Sequence, residues 1–191
     1  MGNRLSRIVT RTGDAGTTGL ADGSRVSKDS PRIQALGDVD ELNSAVGVLL
    51  AETLPDALRG MLLRIQHDLF DVGGELCIPG HTSVTPAHVE RVEAWLDDQN
   101  AGLEPLANFI LPGGTRAAGL AHLARAVCRR AERSVVALGA VEEVAEPVRK
   151  YLNRLSDLLF VLGRALNRHA GTGDVLWQQA GRSGHGDVPQ S

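Results

Sequence analysis

VRKYLNRLSDLLFVLGRAL, residues 148–166, is apolar at Val148, Leu152, Leu155, Leu159, Leu162 and Leu166. The steps alternate four and three residues, which is the seam of a helix packed into a bundle. The pattern predicts a helix from about Glu143 to His169, with Gly171 as its stop. The same alternation recurs upstream at Leu58, Leu62, Ile65, Leu69, Val72 and Leu76, between Pro55 and Gly80. Three weaker helical faces complete the set. Leu36, Val39, Leu42, Val46 and Leu49 lie between Ile33 and about Glu52, and Val89, Val92 and Leu96 follow Thr85-Pro86. Leu120, Leu123, Val127, Ala131 and Leu138 follow Thr115, and the chain turns at Gly139. No strand signal of any length is visible. The expected fold is therefore all-α, an antiparallel five-helix bundle. As one domain it divides into a glycine-rich loop segment (1–32), the bundle (33–171) and a tail (172–191), with the residues from Gly181 expected to be disordered.

Composition narrows the function. The chain has 191 residues and a net charge of −3, so bulk charge does not suit a nucleic-acid binder. No apolar run approaches the roughly 18–20 residues of a membrane span, and the start lacks the apolar core of a signal peptide. Met1 to Ser6 fits the loose myristoylation pattern, but no second membrane signal accompanies it. Cys77 and Cys128 both fall in apolar helical patterns, as expected of buried thiols in a reducing, cytoplasmic setting. Aromatic residues make up 3% of the chain, so the core must be aliphatic, which favours packed helices over a sandwich.

Chemistry enters ahead of the first helix. Thr10-Arg11-Thr12-Gly13-Asp14-Ala15-Gly16-Thr17-Thr18-Gly19-Leu20, followed by Lys28, combines glycines, hydroxyls and cations. Glycine lets backbone N–H groups converge on an anion, threonine adds hydroxyl donors, and Arg11 and Lys28 add charge. These are the parts of a polyphosphate cradle. The Gly-Lys-Ser/Thr of a Walker A loop is missing. Read alone, the segment leaves a plain irregular arm open as well.

A second cluster lies on the fourth helix. Arg125, Arg129 and Arg133 are spaced i, i+4, i+8 and share a face, with Arg130 and Glu132 beside them. Like charges in such a row repel, so acidic partners, solvent or an anionic ligand must offset them. Arginine suits phosphate because its fork binds two oxygens and stays charged. Asp38, Asp40 and Glu41 near the start of the first helix could clamp that helix, within or between chains. Asn153 and Asp157, at i and i+4 on the last helix, could face the same site. His67, Asp71 and Glu75 imitate a metal set at i, i+4, i+8, but the Glu-x-x-His pair of a di-iron bundle is missing.

Taken together these segments resemble the PduO-type ATP:cob(I)alamin adenosyltransferases. The resemblance runs from Thr10 to about Arg168. It rests on the loop from Thr10 to Thr18, Lys28-Asp29, Ala35-Leu36-Gly37-Asp38-Val39-Asp40-Glu41-Leu42-Asn43, Phe109-Ile110-Leu111-Pro112-Gly113-Gly114, Arg125 to Arg133, and Asn153-Arg154-Leu155-Ser156-Asp157. The resemblance implies a homotrimer with ATP sites between neighbouring subunits and Mg²⁺ carried on the phosphates, with no direct protein ligand to the metal. It implies ATP contacts from Thr10, Arg11, Thr12, Gly13, Asp14, Gly16, Thr17, Thr18, Lys28, Arg129, Arg130, Glu132, Arg133 and Asn153. Phe109 matches the residue that packs beneath the corrin, and Arg129, Arg133 and Phe109 are the catalytic candidates. Asp38, Asp40, Glu41 and Arg125 are assigned to support at the interface. The implied reaction moves the 5′-deoxyadenosyl group of ATP to cob(I)alamin, with a reductase and a cobalamin-dependent mutase as further partners. The residues by themselves leave two other classes open, a nucleotide-binding regulator or cobalamin carrier without turnover, and a purely structural bundle.

Overall fold

A computed structural model describes residues 9–179. It contains five helices, α1 (Pro31–Leu50), α2 (Asp56–Cys77), α3 (Pro86–Ala101), α4 (Arg116–Leu138) and α5 (Glu146–His169). Ahead of them are two short strands, β1 (Thr17–Gly19) and β2 (Arg25–Ser27). The expectations for Met1 to Ser6 and for the segment from Gly181 lie outside the described residues.

Both heptad seams face inward. Leu58, Leu62, Ile65, Leu69, Val72 and Leu76 of α2 are buried, as are Val148, Leu152, Leu155, Leu159, Leu162 and Leu166 of α5. Each such side chain contributes about 1.5–3 kcal/mol by leaving water. α5 also buries Tyr151, Leu158 and Val161, so it is covered on more than one side. α4 meets its neighbours through small residues, Ala118, Ala121, Ala124, Cys128 and Ala131, which let α1 and α5 approach closely. One member of its expected stripe fails: Leu123 is exposed, because the buried face runs through the alanines beside it. Cys128 is buried and its thiol is pushed up by desolvation, whereas Cys77 is only partly covered.

The helix boundaries follow local chemistry. Ser30 and Thr115 cap α1 and α4 by accepting from the N–H of Ile33 and Ala118. Pro31, Pro86 and Pro147 sit in first turns, where a missing N–H costs nothing. Thr85 and His88 form a reciprocal capping box at α3.

The main packing pairs are α2 with α1, α1 with α4, α4 with α5, and α5 with α3. Side chains close the ring, since Arg91 of α3 and Tyr151 of α5 both reach Asp68 of α2. α5 thus stands between α3 and α4. The chain leaving α3 must pass over an end of α5 to reach α4. This detour accounts for the long 102–115 connection that carries Phe109.

The absence of strands is corrected by the structure. Thr17 pairs with Ser27, Thr18 with Val26 and Gly19 with Arg25 in an antiparallel hairpin. Gly23 takes the positive φ that its turn requires, and three residues per strand are too few for periodicity to reveal. A second departure lies past α5. Ile110 bridges antiparallel to Leu176, so the folded unit continues beyond Gly171.

Candidate nucleotide and corrin sites

Residues 17–27 form a folded hairpin, and residues 9–16 lead into it, so the described part of this segment is not an irregular arm. Gly16 takes φ +82°, its carbonyl accepts from Lys28 N–H at 2.9 Å, and Arg11 lies in the left-handed region at φ 59°. Lys28 returns beside Gly13 so closely that a Cβ there would stand 3.0 Å from Nζ. Thr10 and Thr12 share a hydroxyl hydrogen bond of 3.1 Å. Arg25, which sequence reading passed over, knits the cradle: its Nη2 donates to the Thr12 carbonyl at 2.6 Å and the Thr17 hydroxyl at 2.8 Å. A lone arginine in a hairpin carries no signal in one dimension. The hairpin docks where Leu20 is buried and Ala21 N–H donates to the Cys77 carbonyl at the end of α2. Thr10, Arg11, Thr12, Asp14, Gly16 and Lys28 are exposed, while Gly13, Thr17 and Thr18 are partly covered.

The cations of α4 sort by angle around the helix. Arg130 points to α1, where it pairs with Glu41 and lies 3.4 Å from Asp38. Asp38 also accepts from Gln34 and from the Ser134 hydroxyl. Burial pushes the Asp38 carboxyl up, but Ser134, Gln34 and Arg130 outweigh it and leave it below the usual carboxylate range. The expected clamp of α1 on α4 thus exists within one chain, at Arg130. Asp40 is exposed and takes no part in it. Arg129 and Arg133 are exposed and form no ion pair with the described residues. Arg125 is partly covered, and its Nε is buried without a partner among the described residues.

Glu132 does not pair with Arg129 as its i, i+3 spacing suggested. It accepts from Asn153 Nδ2 at 2.9 Å, and Asn153 in turn accepts from Arg154, which pairs with Glu93 of α3. Asn153 is thereby fixed beside the arginine face, while Asp157 is exposed. His67, Asp71 and Glu75 do not converge. His67 is exposed, and Glu75 is buried and accepts from the N–H groups of Ser83 and Val84.

Phe109 stands at the other end of the α4–α5 pair with 77% of its surface exposed. Its backbone carbonyl accepts from Trp177 N–H at 2.8 Å, and the two rings meet edge to face at 6.5 Å. Asn108 donates to the Trp177 carbonyl and accepts from Phe109 N–H. An exposed phenylalanine held by its backbone offers a flat apolar face to a ligand. No hydrogen bond or ion pair joins hairpin residues 10–28 to Arg129 or Arg133 among the described residues.

Comparison with known proteins shows the family of the chain. A family model described as cobalamin adenosyltransferase matches residues 8–166. The cobalamin adenosyltransferase of Cupriavidus metallidurans is 64% identical over 180 residues, covering 94% of this chain and 98% of that one. The corrinoid adenosyltransferase of Mycobacterium tuberculosis is 47% identical over 193 residues, covering 95% and 97%. A variant of the PduO-type ATP:corrinoid adenosyltransferase from Lactobacillus reuteri, solved with cobalamin and ATP, superposes with a TM-score of 0.86 at 34% identity, covering 90% of this chain and 97% of that one. With the match running through hairpin, bundle and Phe109 segment alike, the chain belongs to the cobalamin adenosyltransferase family, in its PduO-type branch.

Proposed function

We propose that the protein transfers the 5′-deoxyadenosyl group of ATP to the cobalt of cob(I)alamin, giving adenosylcobalamin and inorganic triphosphate. The observation that carries this reading is the pair Arg129 and Arg133, exposed on α4 with no ion pair among the described residues, beside an Asn153 fixed by Glu132. Two unpaired arginines one turn apart attract a polyanion.

The Co(I) electron pair attacks the ribose C5′, the C5′–O bond breaks, and its electrons leave with the triphosphate. Charge therefore develops along the leaving group, and stabilising it is the main task of the protein. Arg129 and Arg133 supply fixed positive charge for this, with Lys28 and the hairpin N–H groups opposite. Thr10, Thr12, Thr17, Thr18 and Asp14 offer hard oxygen donors that fit a hydrated Mg²⁺ carried on the phosphates, where it offsets negative charge when bound. No side chain need remove a proton, because Co(I) carries none. Phe109, presented on the corrin side, keeps a lower axial ligand off the cobalt, favouring a four-coordinate Co(II) that is easier to reduce.

We assign the working form to a homotrimer. The hairpin is anchored at the end of α2 and makes no polar contact with Arg129 or Arg133 among the described residues, so a neighbouring chain completes the cradle. Asp40, exposed on α1, is the partner we assign to Arg125 of the adjoining subunit. An apolar groove of about 530 Å³ between α1 and α2, with Phe70 71% exposed on its rim, supports contact between copies. A reductase delivers the electron and a cobalamin-dependent mutase receives the product, in the cytoplasm. Among the described residues no helix is long and apolar enough to cross a membrane.

The test is incubation with ATP, Mg²⁺ and chemically reduced cobalamin. Adenosylcobalamin and triphosphate should appear in equal amounts. A carrier would bind ATP without releasing triphosphate, and release of phosphate or ADP would sink the reading.

A further inference from the structure

Phe109 is held by its backbone, and what holds that backbone lies in the last two turns of α5. Asn167, 3% exposed, spends its carboxamide on the Phe109 connection: Oδ1 accepts from Thr115 N–H at 2.9 Å and Nδ2 donates to the Gly113 carbonyl at 3.0 Å. Gly114 runs at φ +103°, and a Cβ there would collide with that carboxamide, so the close approach requires glycine. One turn earlier, the buried Arg164 donates from Nη2 to the Glu104 carbonyl at 2.7 Å and from Nε to Asp174 at 2.8 Å. Asp174 anchors the strand that returns from α5. From that strand the Val175 carbonyl accepts from Leu111 N–H, and Trp177 N–H donates to the Phe109 carbonyl, both at 2.8 Å.

The chain therefore has a polar clasp in which Arg164 and Asn167 grip both ends of the connection between α3 and α4. Asp174 closes the returning strand over its middle. Neither Arg164, Asn167 nor Asp174 hydrogen-bonds Phe109. A buried arginine and a buried asparagine on α5, both off its leucine seam, each give up solvation, which is costly unless fully paired, and here every partner belongs to the two segments flanking Phe109. The sequence assigns no role to these residues.

We propose that Arg164, Asn167 and Asp174 are positioning residues that set the height of Phe109 against the corrin, so that the clasp governs how well Co(II) is stripped of its lower ligand. This rests on the reading of Phe109 given above. An aromatic face misplaced by about 1 Å loses on the order of a hundredfold in a step that depends on it, while the rest of the site is untouched.

The experiment compares D174A, N108A and F109A with the wild-type protein in three readouts. These are turnover from pre-reduced cob(I)alamin, turnover from cob(II)alamin with a chemical reductant, and the electron paramagnetic resonance signal of four-coordinate Co(II) in the presence of ATP. D174A should lower the four-coordinate signal and the Co(II) rate by about tenfold or more, with the Co(I) rate and the KM for ATP within about twofold of wild type. N108A, at an exposed residue outside the clasp, cuts the bonds to the Trp177 carbonyl and from the Phe109 N–H and should show the same pattern more weakly. It carries the test if D174A melts early. Wild-type signals in both D174A and N108A alongside loss in F109A overturn the clasp and leave the Phe109 reading intact. An unchanged signal in F109A removes the Phe109 reading and the clasp with it. Equal losses from Co(I) and Co(II) in D174A overturn the clasp by showing a merely structural effect.

Discussion

Arg129 and Phe109 are exposed at opposite ends of the α4–α5 pair, one a cation among polar neighbours, the other an apolar ring set on polar supports. Around Arg129 the supports are polar and lie near the surface, with Glu132 on Asn153 and Arg130 on Asp38, and the residue left open is a cation. Around Phe109 the supports are a buried polar clasp and a short strand pairing, and the residue left open is apolar. Neighbouring arginines make the contrast sharpest. Arg129 and Arg130 differ by about 100° around the helix axis, and that turn alone decides which is absorbed by α1 and which stays available to a ligand. A charge stays open to a ligand here by having no ion-pair partner among the described residues.

The comparison can be broken at several points, and the largest effect belongs to the open cation. Arg129→Ala should lower kcat by about a hundredfold to a thousandfold, as loss of one preorganised anion-stabilising group does, with unchanged circular dichroism. Normal turnover would remove Arg129 from the site. Phe109→Ala should reduce the Co(II)-dependent rate by roughly tenfold more than the Co(I)-dependent rate, since only the former needs the lower ligand kept away. Arg130→Ala should behave in the reverse sense to Arg129→Ala: a lower melting temperature, because Asp38 keeps only Gln34 and Ser134, and a smaller loss in kcat. If the two variants lose kcat alike, the division of labour along α4 is wrong.

The smallest expected effect concerns His122. It is buried, lies edge to face with Phe160 at 5.9 Å, and leaves both ring nitrogens without partners among the described residues. Burial first, and the Arg125 charge second, hold its pKa below the usual histidine value, against an opposing pull from Asp174. The folded protein therefore binds fewer protons than the unfolded chain just below pH 6.5. The stability gained from a neutral His122 is present above that pH and is lost as pH falls toward the folded value. The melting temperature should drop modestly between pH 7.5 and 5.5, and His122→Gln should flatten that slope. An unchanged slope would show that other groups carry the titration.

Much of this was legible in one dimension. The seams of α2 and α5 are fixed by leucine spacing, because a helix presents residues three and four apart on one side whatever it packs against. Pro55, Thr85-Pro86 and Thr115 marked helix starts because capping depends on local geometry alone. The hydroxyls, glycines and Lys28 can be read as donors for an anion because residue type sets donor capacity. The partner of each charge was not legible. Glu132 chose Asn153 over Arg129, and Asp38 and Glu41 of α1 chose Arg130 of their own chain, because pairing depends on which helices are neighbours. Arg164 and Asn167 were passed over because a polar residue on a buried helix face has meaning only once the crossing segment is known.

The sequence by itself thus determined the helices, their buried faces and the kinds of ligand the chain is equipped to meet, since these follow from period, caps and functional groups. Only the tertiary structure decided which arginines stay open, how residues 17–27 fold into a hairpin, and how the end of α5 grips the Phe109 connection. The physical reason is that α5 stands between α3 and α4, a consequence of packing among five helices that no local pattern encodes.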